Sequence, residues 1–256
     1  MSMRATGQAL AGKTALITGG GSGIGLSIAR TFADEGARLV LFDTNLAAAE
    51  NAAASLPHAL AVEGSVTCRA DLARACDQAV DRFDSLDIVL ANAGVSQNQP
   101  TLDITDADWQ RVMDINCTGA FLTAQEAGRR MVAQGHGVIV MMASIYGTLA
   151  APERLGYCVS KAGVVMMTKA LAVEWAAHGV RVNALAPGYV ETPFLSELIA
   201  RGRLDPVKLK GRTPIGRLIA PEEVARAAVF LAEDASSGIT GHVLGVDGGW
   251  TAYGYI

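Results

Sequence analysis

A doubly wound α/β fold, with helices on both faces of a mostly parallel sheet of about seven strands, is what this sequence predicts. Three observations carry that prediction. Short apolar runs alternate with helix-patterned segments along the whole chain, the order that parallel strand-helix-strand units require. A glycine-rich turn, Gly19 to Gly25, follows the first apolar run directly and opens a helical segment. Half of the 256 residues are hydrophobic, 18% are charged and 28 are glycine, a balance that suits a packed core crossed by tight turns. One domain spanning residues 1–256 is expected at this length, and neither a repeat nor a linker interrupts it.

The first run, Lys13 to Thr18, passes straight into Gly19-Gly20-Gly21-Ser22-Gly23-Ile24-Gly25 and then into a helix over Leu26 to Glu35. Glycines there let the chain turn sharply and let a pyrophosphate approach the amides of the helix N-terminus, where the macrodipole favours negative charge. The second run, Arg38 to Phe42, ends in Asp43. That is about twenty residues after the loop, where a carboxylate can bind ribose hydroxyls. A carboxylate there repels the extra phosphate of NADP, and neither Ser22 nor Thr44 supplies a cation to offset it, so the spacing favours NAD.

Asn45 to Leu56 reads as an alanine-rich helix ended by Pro57, with a third strand over Ala59 to Val62 and a helix over Asp71 to Phe83. A fourth strand, Leu86 to Leu90, runs into Ala91-Asn92-Ala93-Gly94, whose small residues either let the backbone pass close to a ligand or make a plain tight turn. Thr105-Asp106-Ala107-Asp108 has the form of a capping box opening a helix through Trp109, Val112 and Met113 toward Asn116. Asn116 stands among apolar neighbours, so its amide is a structural hydrogen-bond hub or part of a proton path, and spacing alone favours the hub.

A fifth run, Val138 to Met142, delivers Ser144 at its C-terminal end, where open parallel sheets bind ligands. A helix from Tyr157 to about Ala177 stacks Tyr157 and Lys161, at i and i+4, on one face. A phenol ionises near pH 10, and a fixed positive charge beside it lowers that value toward the range of a working acid and base. Ser144 would hold the reacting oxygen. Such a pair also arises by chance as a snorkelling surface pair. Val180 to Leu185 and Pro187-Gly188 follow, and then an irregular stretch, Tyr189 to Pro221, reads as a substrate lid carrying short helices. Glu222 to Ala232 is a helix with Pro221 at its first turn, and His242 to Val246 the last strand.

The net charge of −4 leaves no electrostatic footprint for nucleic acid or an anionic membrane, so a small molecule is the expected partner. Cys68, Cys76, Cys117 and Cys158, like His58, His136, His178 and His242, are too scattered for a metal knuckle. Met1 to Gly12 lacks the apolar core of a signal peptide and no run approaches a membrane span, which points to the cytoplasm. The tail, Trp250 to Ile256, holds Tyr253 and Tyr255, aromatics that suggest burial against a partner.

Thr18 with Gly19, Gly23 and Gly25, then Asn92-Ala93-Gly94, Asn116, Ser144, Tyr157, Lys161, and Pro187-Gly188 with Thr192, together resemble the short-chain dehydrogenase/reductase family. The likeness is to its single-domain branch and spans Leu10 to Gly249. It implies a Rossmann fold, a homotetramer, and hydride transfer between NAD and a secondary alcohol or its ketone. Tyr157 would be the general acid/base, Lys161 would lower its pKa and bind the nicotinamide ribose, and Ser144 would position the substrate oxygen. Asn116 would complete a water-linked proton relay, against the reading from its spacing. Gly19, Gly21, Ser22, Gly23, Ile24 and Gly25 would cradle the pyrophosphate. Asp43 would bind the adenosine ribose, and Ser65 and Val66 the adenine. Asn92, Ala93 and Gly94 would line the ribose, and Pro187, Gly188, Val190 and Thr192 the nicotinamide. Two departures stand out, Gly64-Ser65-Val66 where an Asp-Val pair is usual, and Ala91 where an asparagine is.

Relatives of this build act on polyols, sugars, small diols, steroids and 3-oxoacyl thioesters. NAD suits oxidation, and Met131 to Gly135 lacks the basic character common at that turn in acyl-carrier-protein reductases, so a small polyol, sugar or diol is favoured. Glu153, Arg154 and Tyr189 are the candidate substrate contacts, although Glu153 and Arg154 could equally be a solvated loop pair. Arg129 and Arg130 keep a 3-oxoacyl-thioester reductase as the alternative. A catalytically silent NAD-binding regulator is the alternative from another class.

Overall fold

Each of the seven apolar runs becomes a strand in the computed structural model, which describes residues 8–254. They are β1 (Thr14–Thr18), β2 (Arg38–Asp43), β3 (Ala59–Glu63), β4 (Ile88–Ala91), β5 (Gly137–Met142), β6 (Val180–Pro187) and β7 (Val243–Val246). All pair in parallel, in the order β3-β2-β1-β4-β5-β6-β7. The central strands β1, β4 and β5 are buried at every residue, which is why they read as continuous apolar runs without alternation.

The two-residue period of a strand divides the core into two layers. Leu16, Val40, Val89, Ile139 and Val182 face one side. There they meet α3 (Arg69–Phe83), α5 (Gly119–Gln134) and α6 (Leu155–Trp175). Ile17, Leu41, Leu90, Val140 and Leu185 face the other, against α1 (Gly23–Asp34), α2 (Leu46–Ala54) and α9 (Pro221–Ala232). Between β1 and β4 the strand order reverses, so the carboxyl ends of these strands open a crevice, the usual binding position in such sheets.

Two local features depart from the sequence expectations. Thr105 caps α4 (Asp106–Met113) by accepting from the Asp108 amide at 3.1 Å. Its hydroxyl then donates to the Asp108 carboxylate at 2.8 Å, so the return bond of a capping box is spent on the hydroxyl instead of the Thr105 amide. Beyond Met113 the helix does not stop near Asn116. It passes through a π turn, Asp114–Thr118, directly into α5, a local widening that often marks functional sites. The 189–221 stretch contains two short helices, α7 (Pro193–Ala200) and α8 (Pro206–Arg212). Both are opened by proline at the first turn and capped by Thr192 and Asp205. Leu195, Leu209 and Leu218 form a small core of their own beneath this segment, and a bridge between Val190 and Ile219 ties its ends together. Among the described residues no helix is long and apolar enough to cross a membrane.

Candidate active site

Above the β1/β4 crevice lies a cleft of about 530 Å³, lined from Asp43 at one end to Ser144, Tyr157 and Arg154 at the other. The Asp43 end is built from main chain. Gly19 and Gly23 take positive φ, +66° and +53°, a backbone region that side-chain-bearing residues avoid. A Cβ at Gly25 would lie 2.1 Å from the Gly19 carbonyl oxygen, so α1 can approach the loop this closely only with glycine there. Asp43 accepts from the Gly21 amide at 3.0 Å and the Asn45 amide at 3.0 Å, which fixes its carboxylate at the lip. Gly21 supports the site through this bond and does not itself line the cleft, whereas Gly19, Ser22, Gly23, Ile24 and Gly25 do.

Asn92 serves as a brace. Its Nδ2 donates to the Thr18 carbonyl at 2.9 Å and the Gly19 carbonyl at 3.3 Å, and the Asn92 and Ala93 amides both donate to Thr18 Oγ1. The loop after β4 is thereby pinned to the glycine loop, with Ala93 and Gly94 on the cleft wall. Ser65 and Val66 also line the cleft, but the Ser65 hydroxyl is paired with Thr67 Oγ1 at 2.8 Å, leaving the serine less free than the usual aspartate to reach a ligand. Pro187, Gly188, Val190 and Thr192 complete the far wall. Thr192 Oγ1 accepts from the Leu195 amide at 3.2 Å, so it starts α7 as well as facing the cleft.

At the other end, Tyr157 and Lys161 lie one helical turn apart in α6, which begins at Leu155, two residues earlier than expected. Burial raises the Tyr157 phenol above its ordinary pKa, opposed by the neighbouring Ser144 hydroxyl and then by the charge of Arg154. The Lys161 Nζ lies 5.8 Å from the Tyr157 ring centroid and donates to the Met142 carbonyl at 2.7 Å. Burial lowers the lysine itself to about 8, because an ammonium loses its hydration there. The snorkelling alternative is excluded, since Lys161 is only 4% exposed.

Asn116 is buried in the π turn and is not on the cleft wall. Its Oδ1 accepts from the Val95 amide at 2.8 Å, and its Nδ2 donates to the Val95 carbonyl at 2.8 Å and to Ser160 Oγ at 3.2 Å. These bonds tie the loop after β4 to α6. Asn116 is also close to the lysine. A Cβ on Gly94 would be 3.2 Å from Asn116 Oδ1 and 3.5 Å from Lys161 Nζ.

Of the three candidate substrate contacts, Arg154 and Tyr189 line the cleft and Glu153 does not. Glu153 is exposed, adopts φ +61°, and offers only its carbonyl, which accepts from the Gln99 amide at 2.8 Å. The residue missed in the sequence is Tyr146. It packs edge-on to Tyr157 with centroids 6.5 Å apart, its hydroxyl lies 2.8 Å from that of Tyr189, and Arg154 sits 5.5 Å above its ring. Its position two residues beyond Ser144, with Ser144 Oγ accepting from its amide at 3.2 Å, is the signal that could have found it.

Arg130 is committed to Asp77, to Glu126 and to the Ala73 carbonyl, whereas the exposed Arg129 lies 3.6 Å from Glu126, which Arg69 also holds. Trp250 and Tyr253 pack against their own chain. Trp250 stacks on Tyr189 at 5.1 Å, and Arg212 lies 4.9 Å over Trp250 and 4.8 Å over Tyr253. Tyr255 lies outside the described residues.

Comparison with known proteins matches residues 19–251 to the family model described as enoyl-(acyl carrier protein) reductase. The cis-4-hydroxycyclohexanecarboxylate dehydrogenase of Sinomonas cyclohexanicum is 43% identical over 96% of this chain and 99% of its own. The L-tagatose-forming galactitol 2-dehydrogenase of Cereibacter sphaeroides is 42% identical over 95% and 97%. A short-chain type dehydrogenase/reductase from Mycobacterium marinum superposes with a TM-score of 0.89 at 37% identity, over 95% of this chain and 97% of that one.

The chain belongs to the short-chain dehydrogenase/reductase family.

As a short-chain dehydrogenase/reductase it is an oxidoreductase acting on CH–OH groups with a nicotinamide cofactor. The cleft fits that cofactor on its own chemistry. Ser22 makes no side-chain bond to the start of α1 and no acidic residue occupies the helix's first turn. The orphan amides there are therefore available to a pyrophosphate.

Proposed function

We propose that this enzyme oxidises a small polar secondary alcohol, of the polyol, sugar or diol kind, with NAD in preference to NADP. The observation that carries the reading is the joining of two sites in one cleft: Tyr157, Ser144 and Lys161 at one end and the Asp43 carboxylate at the other. A carboxylate that already accepts two main-chain amides suits two ribose hydroxyls and opposes a phosphate at the same place. The relatives above are named for a hydroxycyclohexanecarboxylate and for galactitol, alcohols of this small polar sort.

The nicotinamide cofactor, when bound, supplies the hydride acceptor. Gly19, Ser22, Gly23, Ile24 and Gly25 bind its pyrophosphate, Asp43 its adenosine ribose, and Pro187, Gly188, Val190 and Thr192 the nicotinamide end. Gly21 holds Asp43 in place, Ser65 and Val66 flank the adenine, and Asn92, Ala93 and Gly94 the ribose. Ser144 Oγ orients the carbinol oxygen, and Tyr157 Oη takes its proton. Lys161 stabilises the phenolate and binds the nicotinamide ribose. Asn116 acts as a positioning residue that holds the Val95 loop against Ser160. The segment from Tyr189 to Pro221 covers the alcohol and excludes water. A homotetramer goes with this reading. Val159, Met166 and Val173 repeat every seventh residue along one face of α6 and are 40%, 62% and 84% exposed, an apolar stripe that a second copy would cover.

The test is NADH formation from a panel of polyols, sugar alcohols and diols, with each of NAD and NADP, and acetoacetyl-thioester reduction as the control. Turnover of an alcohol with NAD supports the reading. Reduction of the thioester alone would replace it with the acyl reductase, and silence on every substrate would leave an NAD-binding regulator.

A further inference from the structure

The substrate end of the cleft carries an uncompensated cation. Among the side chains lining the whole cleft, Asp43, Arg154 and Lys161 are the charged ones. Asp43 is at the far end, bound to the glycine loop, and Lys161 is buried with its Nζ on the Met142 carbonyl. That leaves Arg154 to set the potential beside Tyr157, and its charge acts on the Tyr157 and Tyr146 phenols alike. Among the described residues no carboxylate forms an ion pair with it. The adjacent Glu153 is exposed, off the cleft wall and turned by its positive φ.

The guanidinium is also held in place. It lies over the ring of Tyr146, whose hydroxyl is bonded to that of Tyr189, which in turn stacks on Trp250. A half-buried guanidinium stacked on an aromatic face loses little further freedom when it binds a planar anion through two parallel N–H···O bonds. Ile145, Phe194, Leu198 and Leu204 give the same cleft an apolar wall. A neutral polyol offers nothing that matches both a free cation and that wall, whereas an alcohol with a carbon frame and a carboxylate matches both.

We infer that the alcohol oxidised here is a hydroxy acid, its carboxylate held by Arg154 while its carbinol meets Ser144 and Tyr157. This rests on the dehydrogenase reading above and narrows its substrate class. The step itself is unchanged and balanced. The carbinol O–H proton goes to Tyr157, the C–H hydride goes to NAD, and the carboxylate takes no part in bond making.

The test pairs each acid with a neutral counterpart: 4-hydroxycyclohexanecarboxylate with its carboxamide, and gluconate with glucitol. At least one acid is expected to exceed its counterpart in kcat/KM by about tenfold or more, the scale of a charge-assisted hydrogen bond in a partly buried site. Arg154→Gln should bring the two within about threefold, and Arg154→Lys should keep part of the preference. Equal use of both partners, or a preference that survives Arg154→Gln, overturns the inference while leaving the dehydrogenase standing. Binding tests it without turnover. In the presence of NADH, cyclohexanecarboxylate, which has no carbinol, should bind by calorimetry about tenfold tighter than cyclohexanecarboxamide, and Arg154→Gln should remove the difference. No difference in the unaltered enzyme sinks the inference even if none of the four alcohols is turned over.

Discussion

At the Asp43 end of the cleft the walls are main chain and short side chains tied to strand ends, whereas at the Tyr157 end they are long side chains from separated segments. The first end is held by bonds such as Gly21 to Asp43 and Asn92 to Thr18. The second depends on Ser144 after β5, Arg154 and Tyr157 at the start of α6, Tyr189 after β6, and Phe194 in α7. A dinucleotide presents the same phosphates and ribose in every turnover, so a rigid backbone cradle suits it. An alcohol varies in shape, and side chains on the 189–221 segment, which has a small core of its own, can be exchanged without disturbing the sheet.

The largest break between the two ends should come from Tyr157→Phe. Turnover should fall by about a thousandfold or more, since this removes the proton acceptor, while NADH binding measured by fluorescence stays near the unaltered value. A substantial residual rate would take the chemistry away from this end.

Lys161→Met separates activity from stability. The native lysine is held near 8 from an ordinary 10.5, so at neutral pH its buried ammonium opposes folding by an amount on the order of 3 kcal/mol. That cost is present in full below pH 8 and is relieved as pH rises from 8 toward 10.5, where the unfolded chain binds the proton and the native one does not. The methionine variant should therefore be inactive yet melt at a higher temperature at pH 7 by calorimetry. A lower melting temperature would mean that the bond to Met142 outweighs the desolvation.

At the opposite end, Asp43→Ser should shift the ratio of kcat/KM for NAD over NADP by about ten- to a hundredfold toward NADP, through the loss of one repelling charge. Turnover with saturating cofactor should change little, and an unchanged ratio would remove Asp43 as the selector. The pH profile sharpens the same contrast. Because burial keeps the Tyr157 phenol above its ordinary value, alcohol oxidation should climb with pH through the alkaline range. NAD binding should weaken there only through Lys161, held near 8. The smallest effect is expected far from both ends. Thr105→Ala removes the cap of α4 and should lower stability by about 1 kcal/mol in urea unfolding, with kcat/KM unaltered.

The cofactor end was legible in the sequence because its parts are local. A strand, a glycine turn and a carboxylate at the end of the next strand fix one another through spacing, and the seven runs from Thr14 to Val246 each became the strand expected. Ser144, Tyr157 and Lys161 were legible for a related reason, since a strand end and one helical turn carry them. Asn116 shows the limit. Its spacing indicated a hub and the family likeness indicated a relay, and its side-chain bonds to Val95 and Ser160 are compatible with either role.

The sequence by itself thus determined the sheet, the glycine loop, the acid carboxylate at Asp43 and the tyrosine-lysine pair, all of which follow from periodicity and short spacing. Only the tertiary structure decided that Lys161 turns to Met142, that Arg154 faces the cleft while Glu153 does not, that Tyr146 belongs to the site, and that Trp250 and Tyr253 fold onto Arg212. Each of these depends on where distant segments meet in the packed core, and on the desolvation found there. Neither is encoded in the neighbours of a single residue.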